Sequence, residues 1–128
     1  MNLSEYRALV KRAKKRHTND TKALKHSNIQ TFKHSKSPND TEAAFNREML
    51  GGRGIFEAMS FRIAGGHRYT PDFIVQTPSR IEAYEVKGSY RFPSEGRARL
   101  AFDDAKERYP SIKFYWYRKD KSTWRDET

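Results

Sequence analysis

Asp72, Glu85 and Lys87 are the residues whose types and spacing suit a reaction. They fall in two short stretches, Tyr69-Thr70-Pro71-Asp72-Phe73-Ile74-Val75 and Glu82-Ala83-Tyr84-Glu85-Val86-Lys87-Gly88, on either side of a Pro78-Ser79 turn. Alternate residues of a strand share a face, so Glu85 and Lys87 point the same way. In an antiparallel hairpin symmetric about that turn, partner positions sum to 157, which sets Asp72 opposite Glu85. Directly opposed Cα atoms lie about 4.5–5.5 Å apart, and a bulge would shift the register by one residue. Two carboxylates held that close disfavour joint ionisation unless a cation sits between them. A hard divalent ion with oxygen ligands answers that need, and Mg²⁺ keeps waters that can serve as nucleophile. Lys87 beside them can orient or deprotonate the attacking water, or stabilise charge on a phosphate. The set suits metal-assisted phosphodiester hydrolysis. The competing reading makes Glu85–Lys87 a solvent-facing ion pair on an edge strand, with Pro71 merely opening a strand.

The elements that must position these residues are legible from pattern. Ser4 is a candidate cap for a helix in which Tyr6, Leu9, Val10 and Ala13 recur at helical spacing, ending near His17-Thr18-Asn19-Asp20. Thr21–Pro38 has few apolar residues and no clear period, and reads as a linker or poorly ordered arm. Asn39-Asp40-Thr41 precedes a helix over Glu42–Leu50 that Gly51-Gly52 stops. Ile55–Ile63 reads as a strand, Gly65-Gly66 as a tight turn, and Arg68–Gln76 as a second strand. Arg80–Lys87 is a third. Pro93-Ser94 opens a helix whose Ala98, Ala101, Phe102, Ala105 and Tyr109 form one apolar stripe. Pro110 ends it, and Ile112–Tyr117 is a fourth strand. From Arg118 the tail is charged, with Trp124 its only large apolar residue.

A chain of 128 residues holds one domain. Its net charge of +10 calls for a strongly anionic partner. Nucleic acid comes first, because neutralising phosphates releases condensed counterions. The charge is concentrated: residues 1–38 carry ten Lys/Arg against two acids, a segment charge of +8, and residues 39–128 hold the remaining +2. This pattern divides the chain into a basic helical arm, 1–38, and a near-neutral core, 39–128. Lys11, Arg12, Lys14, Lys15 and Arg16 are the arm's candidate phosphate contacts. No apolar run approaches the ~20 residues a spanning helix needs, and no signal pattern is read, so no membrane partner is expected. Zero cysteines among 128 residues excludes disulfides and thiolate-bound zinc, and fits a reducing, cytoplasmic compartment. His17, His26, His34 and His67 show no metal spacing. A core of about 90 residues buries proportionally little surface, which makes a homodimer unsurprising.

Pro71-Asp72 followed by Glu85-Val86-Lys87, with an acid-bearing helix before them, resembles the PD-(D/E)XK nuclease superfamily. Tyr69-Thr70-Pro71-Asp72-Phe73 with Glu85-Val86-Lys87-Gly88 is especially similar to small phage-encoded members, including junction-resolving endonucleases of the endonuclease I type. The likeness covers residues 39–117 and leaves the arm outside. It implies an α/β (α+β) fold with an αβββαβ restriction-endonuclease-like core, a mixed four-stranded sheet flanked by helices. It implies also that Asp72, Glu85 and the Val86 carbonyl ligate Mg²⁺ or Mn²⁺, with Lys87 completing the site. The family's helical acid maps onto Glu42, with Glu48 as the alternative. A Glu in a helix's first turn also suits the helix dipole without any further role.

Arg97 and Arg99 lie where this superfamily places groups around the scissile phosphate. A helix's first turn is otherwise a poor place for arginine. Tyr90, Arg91 and Phe92 form a loop beside the site, where Arg91 is a further candidate DNA contact. The leading expectation is a Mg²⁺-dependent DNA endonuclease, with branched or junction DNA as the best-motivated substrate. The alternative is a noncatalytic basic nucleic-acid-binding module on a nuclease-like fold.

Overall fold

The computed structural model describes residues 2–9, Lys11 and residues 36–128. By its internal packing the chain divides into residues 1–36 and 37–128. In the first unit residues 3–9 and Lys11 are helical. The cap is Asn2 rather than Ser4. Its Oδ1 accepts from the Glu5 N–H at 2.9 Å, and Glu5 Oε2 accepts in return from the Asn2 N–H at 3.1 Å. Leu3, Tyr6 and Leu9 are all exposed. Arg12, Lys14, Lys15 and Arg16, and the expected linker as far as residue 35, lie outside the described residues.

The second unit opens with α1 (Asp40–Met49), held by a full capping box. Asn39 Oδ1 accepts from the Glu42 N–H and Glu42 Oε2 from the Asn39 N–H, each at 2.9 Å. Gly51 and Gly52 follow in left-handed conformations, at φ 58° and 76°, and stop the helix. Next come β1 (Ile55–Phe56), β2 (Phe61–Arg62), β3 (Arg68–Tyr69), β4 (Phe73–Gln76) and β5 (Ile81–Lys87). Then α2 (Glu95–Arg108) precedes β6 (Ile112–Asp120) and β7 (Thr123–Asp126). No described helix is long and apolar enough to cross a membrane.

The fold is mixed α/β. Five strands form one sheet in the order β1-β4-β5-β6-β7, and β2 pairs with β3 separately. β5 is central, antiparallel to β4 and parallel to β6 through the α2 crossover. Its position at the centre rules out the edge-strand reading of Glu85 and Lys87. Side chains alternate across the sheet. Ile74, Ala83, Phe114 and Trp116 pack with Phe102 and Ala105 of α2. Phe73, Val75 and Val86 face the opposite way and pack with Phe45 of α1. The expected α2 stripe is the one buried: Ala98, Ala101 and Tyr109 flank Phe102 and Ala105 on that core.

Three expectations are corrected. Ile55–Ile63 is not one strand, because Glu57 takes a left-handed φ of 45° and the chain turns, so β1 and β2 enter different sheets. Arg68–Gln76 breaks at Thr70-Pro71-Asp72, where Pro71 has no N–H to offer a ladder. The main sheet has five strands, not four, since the charged tail folds back as β7 on β6. Its charges hid one apolar anchor. Trp124 meets Phe45 edge-on at 5.0 Å, donates to Glu48 Oε2 at 2.8 Å, and lies under the Lys119 ammonium at 4.5 Å.

Trp124→Ala should therefore lower stability by about 2–4 kcal/mol, as for large core truncations. A solvated tail would give a change within about 0.5 kcal/mol. Urea denaturation distinguishes the two.

Candidate active site

The β4–β5 register is Phe73↔Tyr84, Ile74↔Ala83, Val75↔Glu82 and Gln76↔Ile81, each pair summing to 157. Continued by one residue, that register brings Asp72 to Glu85. Asp72 sits in the bend just before β4 and is fixed twice. Its backbone carbonyl accepts from the Glu57 N–H at 2.9 Å, and its Oδ2 accepts from the Val86 N–H at 2.8 Å. The side chain thus reaches across to β5 in place of a backbone rung.

Glu85 is only 6 % exposed, and both its oxygens are engaged. Oε1 lies 2.8 Å from the Lys87 ammonium, and Oε2 accepts from the Tyr69 hydroxyl at 2.7 Å. The Lys87 ammonium also stands 5.2 Å from the centre of the Trp116 ring. Trp116 is the β6 residue registered with Glu85. Neither Tyr69 nor Trp116 stands out as a site residue in the sequence. Tyr69 is concealed because unbroken alternation would set it, three residues from Asp72, on the opposite face, and the break at Pro71 removes that constraint.

The electrostatics follow from this crowding. Burial first, and then the Glu85 charge, push Asp72 up from 3.8 to about 8, against the lowering effect of the Val86 N–H. Glu42 contributes to the same rise, so α1 brings that carboxylate near enough to be felt. Glu48 instead points at Trp124 and Lys119, and the Trp124 hydrogen bond holds its pKa below the ordinary value. Of the two helical acids, Glu42 is the one whose charge Asp72 feels, while its Oε2 accepts the Asn39 N–H of the capping box. For Lys87, burial acts downward, but pairing with Glu85 outweighs it and raises the ammonium above its usual range. A lysine so held is charged at neutral pH, which favours a charge-stabilising role over that of a base. Burial and the Glu85 charge drive the Tyr69 hydroxyl far upward, so it remains a donor.

Among the described residues no three His, Cys, Asp or Glu side chains form a ready-made metal site. The donor chemistry nevertheless fits a hard divalent ion. Asp72 and Glu85 are adjacent oxygen donors whose mutual repulsion raises Asp72, and a cation that keeps most of its waters needs few protein ligands.

The other candidates divide. Arg99 reaches the site's edge: its guanidinium lies 5.1 Å from the Phe102 ring centre and 5.2 Å from that of Trp116, and it donates to the Glu127 carbonyl at 2.6 Å. Arg91 pairs with Glu127 Oε2 at 2.6 Å. Both line a cavity of about 320 Å³ beside Trp116, together with Arg118. Arg97, two helical positions from Arg99, turns away and lines a different cavity with His67 and Arg68. Lys11 is exposed on the first unit, and Arg12, Lys14, Lys15 and Arg16 are undescribed. Arg118, the first residue of the charged tail, is 4 % exposed and bonds both Glu95 and Glu127.

No protein-family model matches the chain, and no curated protein or solved structure matches it either.

Because the folded protein holds the Asp72 proton more tightly than the unfolded chain, it binds more protons between 3.8 and about 8. Metal-free stability therefore falls as pH rises through that window. Asp72→Asn, which keeps an acceptor for the Val86 N–H, should raise the metal-free Tm at pH 8.5 by at least about 4 °C, the equivalent of ~1 kcal/mol for a domain of this size. The gain should vanish near pH 4. A Tm unchanged at pH 8.5 would show that the two carboxylates are not in conflict.

Proposed function

We propose that this protein is a DNA endonuclease that hydrolyses phosphodiester bonds with Mg²⁺ or Mn²⁺, on a core of the PD-(D/E)XK kind. The observation that carries the reading is the convergence of Asp72 and Glu85 at the end of the β4–β5 ladder, with Lys87 on Glu85. Support comes also from the α1–sheet–α2 layering and from the α2 crossover to parallel β6. Asp72, Glu85 and the Val86 carbonyl would hold the ion. When bound, it supplies a lowered water pKa and neutralises charge on the phosphate. Lys87, kept protonated beside Glu85, stabilises the negative charge that builds on the phosphate oxygens. Glu42, whose charge is felt at Asp72, would orient water from the α1 side. The net charge of +10 provides the general attraction to the backbone, and the +8 of residues 1–38 suits a second duplex of a branched substrate.

A metal-free binding module is the second reading, favoured by one observation: both Glu85 oxygens already have protein partners. Mn²⁺ soaked into crystals decides between them, by density between Asp72 and Glu85 or an intact ion pair.

Plasmid, linear duplex and four-way-junction DNA incubated with Mg²⁺ provide the direct assay. Asp72→Ala should reduce cleavage by at least about 10²–10³-fold, the cost typical of removing one group that stabilises the transition state. Glu42→Gln should impair it and Glu48→Gln should not. Undiminished Asp72→Ala activity would end the site assignment, and a linear duplex cut as fast as the junction would end structure selectivity.

Binding to duplex DNA should weaken steeply with salt. Replacing Lys11, Arg12, Lys14, Lys15 and Arg16 with Gln should flatten the log K against log salt plot by about 0.9 for each phosphate that is no longer neutralised. An unchanged slope would remove the arm from the interface.

A further inference from the structure

Between β5 and α2 the chain presents two large rings to solvent. Tyr90 is 66 % and Phe92 60 % exposed, and their centres lie 4.7 Å apart, edge to face. Exposed aromatics on a loose loop would call for little comment. This loop is anchored from beneath. Arg118, almost fully buried, donates to the Gly88 carbonyl at 2.8 Å and holds Glu95 through Nη2 at 2.5 Å. Its Nη1 also reaches the Tyr90 carbonyl at 3.5 Å. Glu95 returns the contact to the loop, since its N–H donates to the Phe92 carbonyl at 3.1 Å. One buried guanidinium therefore ties both ends of the loop to β6, and both rings remain outside.

The setting identifies a ligand. Tyr90 is three positions beyond Lys87, so their Cα atoms are at most roughly 11 Å apart, about three base steps along a duplex. Arg91, between the two rings in sequence, is exposed, and Lys87 and Arg99 each lie 5.2 Å from the centre of the Trp116 ring. Aromatic faces flanked by cations on an anchored loop suit a single-stranded nucleic acid, whose bases stack while the phosphates meet the charges. Bases within a duplex are already stacked on each other and cannot use such a surface.

We propose that Tyr90 and Phe92 form a stacking platform for an unpaired base of the DNA strand, within about three nucleotides of the Asp72–Glu85 site. The proposal rests on the DNA-directed reading above and deepens it. It supplies a source of preference for DNA with unpaired bases, such as overhangs and branch points, over continuous duplex.

The test uses full-length protein in EDTA, so that nothing is cleaved, and duplex DNA bearing a short overhang with 2-aminopurine at its first unpaired position. Wild type should bind the overhang substrate about 5- to 100-fold more tightly than blunt duplex, the range for stacking one base, and should quench the probe. Tyr90→Ala/Phe92→Ala should lose both the preference and the quenching while retaining blunt-duplex affinity and the wild-type melting curve. Tyr90→Phe should keep both. A preference that survives the double substitution, or quenching that is absent in wild type, would overturn the platform. So would self-association that the double variant abolishes with overhang binding intact, which would assign the rings to a contact between copies. Because no metal is present, failure here is separate from failure of the nuclease reading, which the Asp72→Ala cleavage assay decides.

Discussion

A carboxylate buried at the end of the central strand is the constraint on which the rest of this site depends. Glu85 is nearly inaccessible, and a buried charge is tolerated only where hydrogen bonds and an opposite charge answer it. Tyr69 answers one oxygen and Lys87 the other. Tyr69 arrives from β3, in a separate two-stranded ladder, and Lys87 comes from two residues along β5. The arrangement leaves Asp72, brought in by the neighbouring strand, with no full countercharge of its own. Its raised proton affinity is the visible consequence. A fold that gathers like charges in this way gives up stability when both are ionised, a common feature of sites shaped for binding or chemistry.

A second buried charge organises the other side of Trp116. Arg118 bonds Glu95 at the start of α2, Glu127 beyond β7, and the carbonyls of the loop after β5. The stretch from Gly88 to Glu95 and the tail at Glu127 meet on one guanidinium, whose planar set of donors can satisfy several acceptors at once. Glu95 also lies in the first turn of α2, where a carboxylate suits the helix dipole. The same Trp116 ring carries Lys87 and Arg99 at about equal distance, so the two charged clusters share one apolar wall. Shape and charge around the candidate site are therefore set by β6 as much as by β5.

Much of this was open to a reading of residue order. The Pro78-Ser79 turn and the spacing about it were enough to predict the 157 register, because an antiparallel ladder without a bulge leaves no freedom once the turn is placed. The Asn39–Glu42 box and the Ala98–Tyr109 stripe likewise follow from local rules of capping and helical period. Local rules were insufficient where tertiary contacts override them. Nothing in Ile55–Ile63 announces the left-handed turn at Glu57, and nothing in the charged run around Thr123–Asp126 announces a strand. Each depends on a partner elsewhere in the chain, Asp72 for the turn and β6 for the strand.

The sequence by itself determined which residues could carry chemistry and which of them lie on one hairpin, since alternation and turn symmetry are properties of the chain. Only the tertiary structure decided the company they keep. It drew Glu48 off to Trp124 of β7, and it set Glu42 where its charge is felt at Asp72. It decided that Arg99 and not Arg97 faces the Trp116 cavity, because helical period sends the two to opposing sides but only packing of α2 on the sheet says which side meets it. It also brought Tyr69, Trp116 and Arg118 to the site, since burial of a charge is settled by partners that meet only on folding.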